Sequence, residues 1–440
     1  MIKLIRAIRE NYFDNTIDLS KLSKTFLLWG AGLVLVYLAN IFLIRLIGLP
    51  KYGQYTVFMN WVALMSTLVV FGWDGYLVQK IPVLPQNTEG KTVAGTLLKR
   101  AMLTFCALFI FGVLLLFTIV YIFNQPLIFA GKHSLLYFFS LVFFFTCISY
   151  FKALLKIFHI VRPVQWIEEF SKPLVLLFIL GGYYFFHKPL SLSAVYFLNS
   201  ILFFMVTLLL YFFVQKAAGK KLVLRERDED REQWVRKCFN FMCIMLGYSF
   251  FSKMELLFLG YYAKNEDAAK YQLLLRIADL VLIPDFLFNY YMPQKFSQYF
   301  ADKDHHAARA LYRNAARTIF FLQVICLAGV AGIGYFYLQS FKIAGMQMYI
   351  LMMVLCSAQL CYSLFGSTNL VLMTSGNEKY SFRALALVLI VEAIANKMFI
   401  SSYGLIAAVY ISWLSVLMYT LILYYYVQKK LKFRSPLTGF

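Results

Sequence analysis

The chain has 440 residues, of which 61% are hydrophobic, 19% aromatic and 14% charged. Soluble domains carry about 25% charged residues, so this composition excludes an ordinary soluble protein and indicates a polytopic membrane protein whose apolar side chains face lipid. The net charge of +21 would suit a nucleic-acid-binding protein, but the distribution of the basic residues indicates membrane topology instead.

The chain opens with a polar segment, residues 1–22, in which Ile2, Ile5 and Ile8 alternate with basic residues. This spacing predicts either a short helix on the membrane surface or a disordered tail. Twelve apolar runs follow, each long enough to cross a bilayer core, which takes about 20 residues. They lie near 24–48, 54–79, 98–123, 134–158, 164–187, 191–215, 238–262, 268–294, 316–338, 347–373, 380–401 and 403–428.

Lysine and arginine residues are distributed unequally between the two sides of this predicted topology. With the N-terminus in the cytoplasm, the inner segments hold 31 of the 42 basic residues and the outer segments hold six. This bias follows the positive-inside rule. We therefore predict a multi-pass protein of the bacterial cytoplasmic (inner) membrane, with both termini cytoplasmic, in contact with anionic lipid and without a nucleic-acid partner.

The two halves of the chain resemble each other. The segment LLLYFFVQK at 208–216 recurs as LILYYYVQK at 421–429, and Tyr55 recurs as Tyr271, at offsets of 213 and 216 positions. Six spans per half give both copies the same orientation, which predicts two six-helix bundles related by a parallel pseudo-two-fold axis. The predicted domains are a cytoplasmic segment (1–22), an N-terminal bundle (23–216), a charged cytoplasmic linker (217–236), a C-terminal bundle (237–430) and a cytoplasmic tail (431–440).

Residues 248–285 concentrate ionisable side chains inside two apolar runs. One such residue costs about 2.5–3.5 kcal/mol on insertion scales, so these residues are candidates for function. The depths of Lys253 and Arg276 predict a single cationic patch that suits a diphosphate. The alternative is a structural ion-pair network, with Arg276 paired to Asp279 or to Glu255. The ionisable residues of this stretch are Lys253, Glu255, Arg276, Asp279 and Asp285.

Further charged residues lie in other runs. Lys397, Arg45 and Lys24 are candidates for substrate binding, although their places near span ends also suit snorkelling to the interface. Glu255, Asp279, Asp285, Asp74 and Glu392 are candidates for binding a coupling H⁺ or Na⁺, or for salt bridges within the protein. Pro284 should kink the eighth run or free a backbone carbonyl. No Cys or His cluster has ligand spacing, so we predict no metal and no other cofactor.

Three motifs resemble polysaccharide and O-antigen flippases (Wzx-type) of the multidrug/oligosaccharidyl-lipid/polysaccharide (MOP) exporter superfamily. They are RLIGLPKYGQY at 45–55, followed by Gly72; SKMELLFLG at 252–260, followed by AAKY at 268–271; and GLIAA at 404–408. The resemblance implies an all-α transporter of two bundles that moves a polyprenyl-diphosphate-linked glycan between leaflets. It also implies a polysaccharide polymerase and a chain-length regulator as partners.

Three alternatives remain open. A cation-coupled multidrug (MATE-type) antiporter has the same fold but would favour an acidic cavity. A flippase for the peptidoglycan precursor usually has fourteen spans. A membrane enzyme would need a larger outer loop with catalytic residues, and the predicted outer links are short, so we predict a protein that is not an enzyme.

Overall fold

The computed structural model describes residues 19–80, 98–114, 132–157, 160, 162–187, 189–218 and 231–433. Within these ranges all regular secondary structure is helical. A helix satisfies its backbone N–H and C=O groups within one segment, as a waterless lipid environment requires. The predicted all-α class is therefore confirmed. The predicted surface helix at residues 1–9 and most of the linker at 217–236 lie outside the described ranges.

The chain divides into two compact units between Phe250 and Phe251. Helices α1 to α9 belong to the first unit. They are α1 (Leu19–Ile47), α2 (Leu49–Val70), α3 (Trp73–Lys80), α4 (98–114), α5 (Lys132–Ile157), α6 (Arg162–Gln165), α7 (Lys172–Phe185), α8 (Leu192–Ala218) and α9 (Arg231–Phe251), with a π-helical turn at Trp166–Ser171.

The second unit follows directly after α9. It contains α10 (Met254–Tyr262), α11 (Asn265–Ala278), a 3₁₀ turn (Asp279–Leu282), α12 (Ile283–Ala301), α13 (His305–Ser340), α14 (Met346–Leu364), α15 (Thr368–Thr374) and α16 (Glu378–Leu431).

Helix α9 packs against α3 within the first unit. The Trp73 and Trp234 rings stack with centroids 4.9 Å apart. Gly72 has φ +71°, and a Cβ there would collide with the Cys238 carbonyl, so the close approach requires glycine. This packing joins α9 to the helices before it, whereas the sequence-predicted boundary lies in the linker at 217–236.

Six described helical segments are long and apolar enough to cross a membrane, and α9 with α10 passes as a bent pair. The protein is therefore a multi-pass membrane protein, as predicted. The six segments are Gly30–Ile47, Ser134–Ile157, Leu192–Lys216, His305–Ser340, Met346–Thr374 and Glu378–Leu431.

The seventh predicted span is broken rather than continuous. The axes of α9 and α10 differ by 57° across Ser252 and Lys253. Serine side chains near a helix end compete with the backbone for hydrogen bonds, and Ser249 and Ser252 lie here. The apolar run 238–262 thus forms two helices with a bend between them. The eighth run also changes form: the 3₁₀ turn ends at Leu282, and α12 begins at Ile283 with Pro284 as its second residue. This change lies where the sequence predicts a kink or a freed carbonyl at Pro284.

Helix α16 folds back on itself at Gly404, whose φ of 51° and ψ of −126° are non-helical. We call residues 378–403 its first arm and 405–431 its second arm. The arms run side by side, because the rings of Tyr380 and Tyr426 are 4.8 Å apart and the hydroxyls of Ser381 and Tyr419 are 3.5 Å apart. Both ends of α16 therefore lie on the same side of the unit.

We expect Gly404→Ala to lower the free energy of unfolding by about 1–3 kcal/mol, because a residue with a side chain adopts this backbone conformation only under strain. A Cβ would also lie 3.1 Å from Asp267 Oδ2. Thermal unfolding in detergent measures the change. Gly329→Ala in α13 is the matched control, because no other atom lies within 4 Å of the position that its methyl group would take; an equal loss in both variants would contradict the prediction.

Candidate functional site

Two buried carboxyl groups meet in the second unit. Glu255, in the first turn of α10, is 2% exposed, and Glu392, in the first arm of α16, is 1% exposed. Their carboxyl groups interact with each other. Two ionised carboxylates buried together repel each other, so this arrangement favours the neutral form of one of the two groups. The pair is therefore a candidate proton-binding group.

Two hydroxyl groups complete the contacts of Glu255. The side chains of Tyr271 in α11 and Ser412 in the second arm of α16 hydrogen-bond to the Glu255 carboxyl group and to each other. Tyr271 is only 1% exposed. Helices α10 and α11 and both arms of α16 thus meet at this carboxyl group.

In the first unit, the residues that correspond to Tyr271 and Ser412 in the sequence repeat also contact each other. The Tyr55 hydroxyl donates to Asn199 Oδ1 at 3.2 Å. Tyr271 follows Tyr55 by 216 positions, and Ser412 follows Asn199 by 213 positions, which are the offsets of the sequence repeat. This correspondence supports the duplication. None of the residues 213 to 216 positions before Glu255 or Glu392 is acidic, so the carboxyl pair belongs to the second half of the chain.

Asn396 lies one helical turn after Glu392 and is fully buried. Neither its Oδ1 nor its Nδ2 has a hydrogen-bond partner within the described part of the chain. Neither carboxyl oxygen of Glu392 has a hydrogen-bond partner in the described ranges either. An unsatisfied buried polar group costs about 1–3 kcal/mol. The carboxyl oxygens of Glu392 and the amide oxygen of Asn396 are suited to binding a proton or a small cation.

Other buried polar residues lie among α12 to α15. Asp285 is 3% exposed, and its Oδ1 accepts a hydrogen bond from Ser367 at 3.3 Å. Gln323 Oε1 accepts a hydrogen bond from Ser363. The described contacts of the Glu255–Glu392 pair do not include Asp285, so the predicted coupling carboxylates form more than one group.

The two cations of the predicted patch lie at one end of the α10–α11 hairpin. Half-buried Lys253 is the N-cap residue of α10 and exposed Arg276 is in the last turn of α11. Measured along each helix from the α10–α11 link, Lys253 is about 14 Å away and Arg276 is about 17 Å away. Asp279 is exposed and interacts electrostatically with Arg276. The described contacts of Glu255 do not include Arg276, so the alternative pairing of these two residues stays a prediction.

The remaining predicted residues lie on α1, α3 and α16. Lys397 is exposed on α16 beside Met398, which is 62% exposed, and Arg45 is exposed in the last turn of α1. Asp74 begins α3, and its Oδ1 accepts a hydrogen bond from the Gly75 N–H at 2.9 Å. Lys24 lies outside the residues whose side chains are described.

An ion pair in the first unit was missed by the sequence analysis. Lys152 Nζ in α5 lies 2.7 Å from Glu168 Oε2 in the π-helical turn. Lys172 Nζ lies 3.8 Å from the centroid of the Phe203 ring. The topology count placed both lysines in inner segments. Glu168, an acidic residue within the apolar run 164–187, was a usable signal for an ion pair. The π-helical turn that presents Glu168 to Lys152 was not predictable.

Comparison with known proteins identifies the family. The family model described as "Polysaccharide biosynthesis protein" matches residues 22–292, which is more than half of the chain. The chain belongs to this family. Among curated proteins there is no match. The resemblance to a polysaccharide family, drawn from the sequence motifs, is confirmed.

Solved structures similar to this polysaccharide biosynthesis protein are MOP transporters. An inward-facing multidrug resistance MATE family transporter of the MOP superfamily superimposes with a TM-score of 0.70 and 11% identity, covering 91% of this chain and 94% of the other. The lipid II flippase MurJ in its inward closed conformation has a TM-score of 0.65 and 14% identity, covering 92% and 87%. A MOP transporter from Pyrococcus furiosus has a TM-score of 0.64 and 12% identity, covering 94% and 95%. At these identities the likeness shows the fold, which confirms the predicted MOP-like architecture.

In this polysaccharide biosynthesis protein we expect Asn396→Leu to raise the thermal unfolding temperature. The substitution replaces an unsatisfied buried amide with an apolar side chain of similar volume, a gain of about 1–3 kcal/mol. Asn199→Leu is the matched control, because Asn199 Oδ1 accepts from Tyr55 and its Nδ2 donates to the Val195 carbonyl. That variant should lose stability. A loss of stability in Asn396→Leu would show that its amide is satisfied in the folded protein.

Proposed function

We propose that this protein is a flippase for a polyprenyl-diphosphate-linked oligosaccharide, such as an O-antigen, capsule or exopolysaccharide repeat unit. It would move this lipid from the cytoplasmic to the outer leaflet of the bacterial inner membrane by alternating access. The polysaccharide biosynthesis family and the transporter fold support this class of function. The observation that carries the proposal is the half-buried Lys253 at the start of α10, inside a membrane-spanning unit.

The start of α10 is suited to an anionic group. The first N–H groups of a helix have no partner within the helix and carry partial positive charge. No side chain caps α10, and Lys253 adds a full positive charge at the same point. Broken helices in membrane transporters present such ends to anionic substrate groups. Arg276, at the same end of the hairpin, would provide a bidentate contact to a diphosphate.

The carboxyl pair supplies the proposed coupling site. Glu255 lies two residues after Lys253, so the charge of the pair changes the electrostatic potential where the diphosphate would bind. Binding of a proton to the pair and binding of the anion are therefore linked, and such linkage is reciprocal. The burial of two interacting carboxyl groups favours H⁺ as the coupling ion, and Na⁺ is the alternative.

Two other transporter classes share the fold. A multidrug antiporter would bind its cationic substrate at the carboxyl pair, but the positive charges of Lys253 and Arg276 would not favour that substrate. A peptidoglycan-precursor flippase would use the same cationic residues for a different glycan. We also propose cytoplasmic termini, and association with a polysaccharide polymerase and a chain-length regulator.

We expect Lys253→Gln and Arg276→Gln each to reduce flipping by about tenfold or more, because a charge-assisted hydrogen bond contributes about 1.5–3 kcal/mol. The measurement is movement of a fluorescent polyprenyl-diphosphate-linked glycan between leaflets of proteoliposomes. Lys264→Gln is the control, because Lys264 is exposed at the opposite end of the same hairpin. Wild-type rates in both test variants would remove the proposed diphosphate site. Export of a cationic dye instead of the glycan lipid would favour the antiporter.

We expect Glu392→Gln to abolish the dependence of flipping on a pH gradient while leaving the fold intact. The amide can still donate a hydrogen bond to Glu255 but cannot release a proton. The measurement compares flipping with and without an imposed pH gradient, and then with a Na⁺ gradient. Glu378→Gln, at an exposed acidic residue in the first turn of α16, is the control. Identical pH dependence in wild type and Glu392→Gln would contradict the coupling role.

A further inference from the structure

Exposed cations surround a group of tyrosine rings where the two ends of α16 meet. This group is distinct from the proposed diphosphate site, and its residues on the first arm precede Glu392 by at least nine positions. Its residues come from the first turns of the first arm and the last turns of the second arm. We call it the tyrosine–cation cluster: Lys379, Tyr380, Arg383, Tyr425, Tyr426, Lys429 and Lys430.

The tyrosine rings hold the cations in place. Lys430 Nζ lies 5.0 Å from the centroid of the Tyr380 ring and donates a hydrogen bond to the hydroxyl of Tyr380. Lys379 Nζ and the Arg383 guanidinium carbon lie 5.4 and 5.9 Å from the same centroid. These distances are within the range of cation–π attraction. Three positive charges thus converge on one ring.

The second arm adds a fourth charge to the cluster. Lys429 Nζ lies 5.4 Å from the centroid of the Tyr425 ring and 3.1 Å from its hydroxyl oxygen. The Tyr425 and Tyr426 rings lie against each other with centroids 5.6 Å apart. The cations therefore form one patch that spans both arms of α16.

No described carboxylate neutralises these cations. Lys379, Arg383, Lys429 and Lys430 are all exposed, and none forms a salt bridge with an acidic residue in the described ranges. Glu378 is adjacent in sequence and forms no salt bridge with them either. Like charges gathered in this way repel one another, so the arrangement favours binding of an anion.

Exposed apolar side chains lie within about one helical turn of the cluster along each arm. Phe382 is 42% exposed and Leu421 is 46% exposed, one on each arm. Leu387, one turn beyond Arg383, is 50% exposed. Lysine, arginine and tyrosine at the end of an apolar surface are typical of the headgroup level of a bilayer. The ligand that fits both parts has a phosphate for the cations and acyl chains for the apolar surface.

We propose that the tyrosine–cation cluster is a binding site for the phosphate headgroup of an anionic phospholipid. The lipid belongs to the leaflet at the ends of α16, the side that the sequence predicts to be cytoplasmic. It is a resident lipid, distinct from the transported glycan lipid. Its phosphate contacts both arms at once and so stabilises their pairing.

Native mass spectrometry and thermal unfolding of the full-length protein in a mild detergent test this proposal. The probes are short-chain phosphatidylglycerol and phosphatidylcholine. We expect phosphatidylglycerol to bind more tightly and to raise the unfolding temperature more. Removing four charges in K379Q/R383Q/K429Q/K430Q should abolish this preference, since each basic residue near an anionic headgroup contributes about fivefold in affinity.

Two further variants distinguish a specific site from a general effect of charge. K51Q/K216Q/R236Q/K237Q removes three lysines and one arginine that are exposed in the first unit, and it should keep the preference. K379R/K429R/K430R retains the charges and should also keep it. Equal loss in the first-unit variant, or no preference in the wild type, would overturn the proposal. Displacement of phosphatidylglycerol by undecaprenyl diphosphate from this cluster would assign the site to the transported carrier instead.

Discussion

The absence of water around the helices is the constraint on which this structure depends. Each backbone group in lipid must find its partner within its own segment, so a break in a helix leaves groups that need compensation. The second unit nevertheless breaks its helices at Lys253, at the 3₁₀ turn that begins with Asp279, and at Gly404. Two of these breaks carry charged residues, and the third lets one long helix return on itself. Lys253, Glu255 and Arg276 therefore lie at or near interruptions, whereas Glu392 lies within the first arm of α16.

The repeat gives the two units a shared contact with different chemistry. Tyr55 and Asn199 in one unit, and Tyr271 and Ser412 in the other, link corresponding helices through their side chains. In the second unit Glu255 interacts with Tyr271 and Ser412, and it also interacts with Glu392. The second unit places acidic residues at this contact, whereas the corresponding positions of the first unit hold none.

Much of the fold was predictable because lipid imposes a simple rule on sequence. Long apolar runs predicted the membrane helices, the basic residues predicted a topology, and the order of degenerate motifs predicted the family. The breaks were harder: Pro284 signalled one, but Ser249 and Ser252 are not enough to distinguish a 57° bend from a continuous helix. The residues of the carboxyl pair were both candidates from the sequence. Their contact was not predictable, because Glu255 and Glu392 are 137 positions apart and like charges are expected to separate.

Gly404 is the point about which the first arm of α16 would pivot if it moved as a rigid body. Glu392 lies about 18 Å from Gly404 and Tyr380 about 36 Å from it, at 1.5 Å per residue. Any tilt of the arm therefore displaces Tyr380 about twice as far as Glu392. If Glu392 moved slightly when the carboxyl pair gained or lost a proton, Tyr380 at the membrane surface would move about twice as far. A phospholipid bound at the tyrosine–cation cluster would oppose this movement.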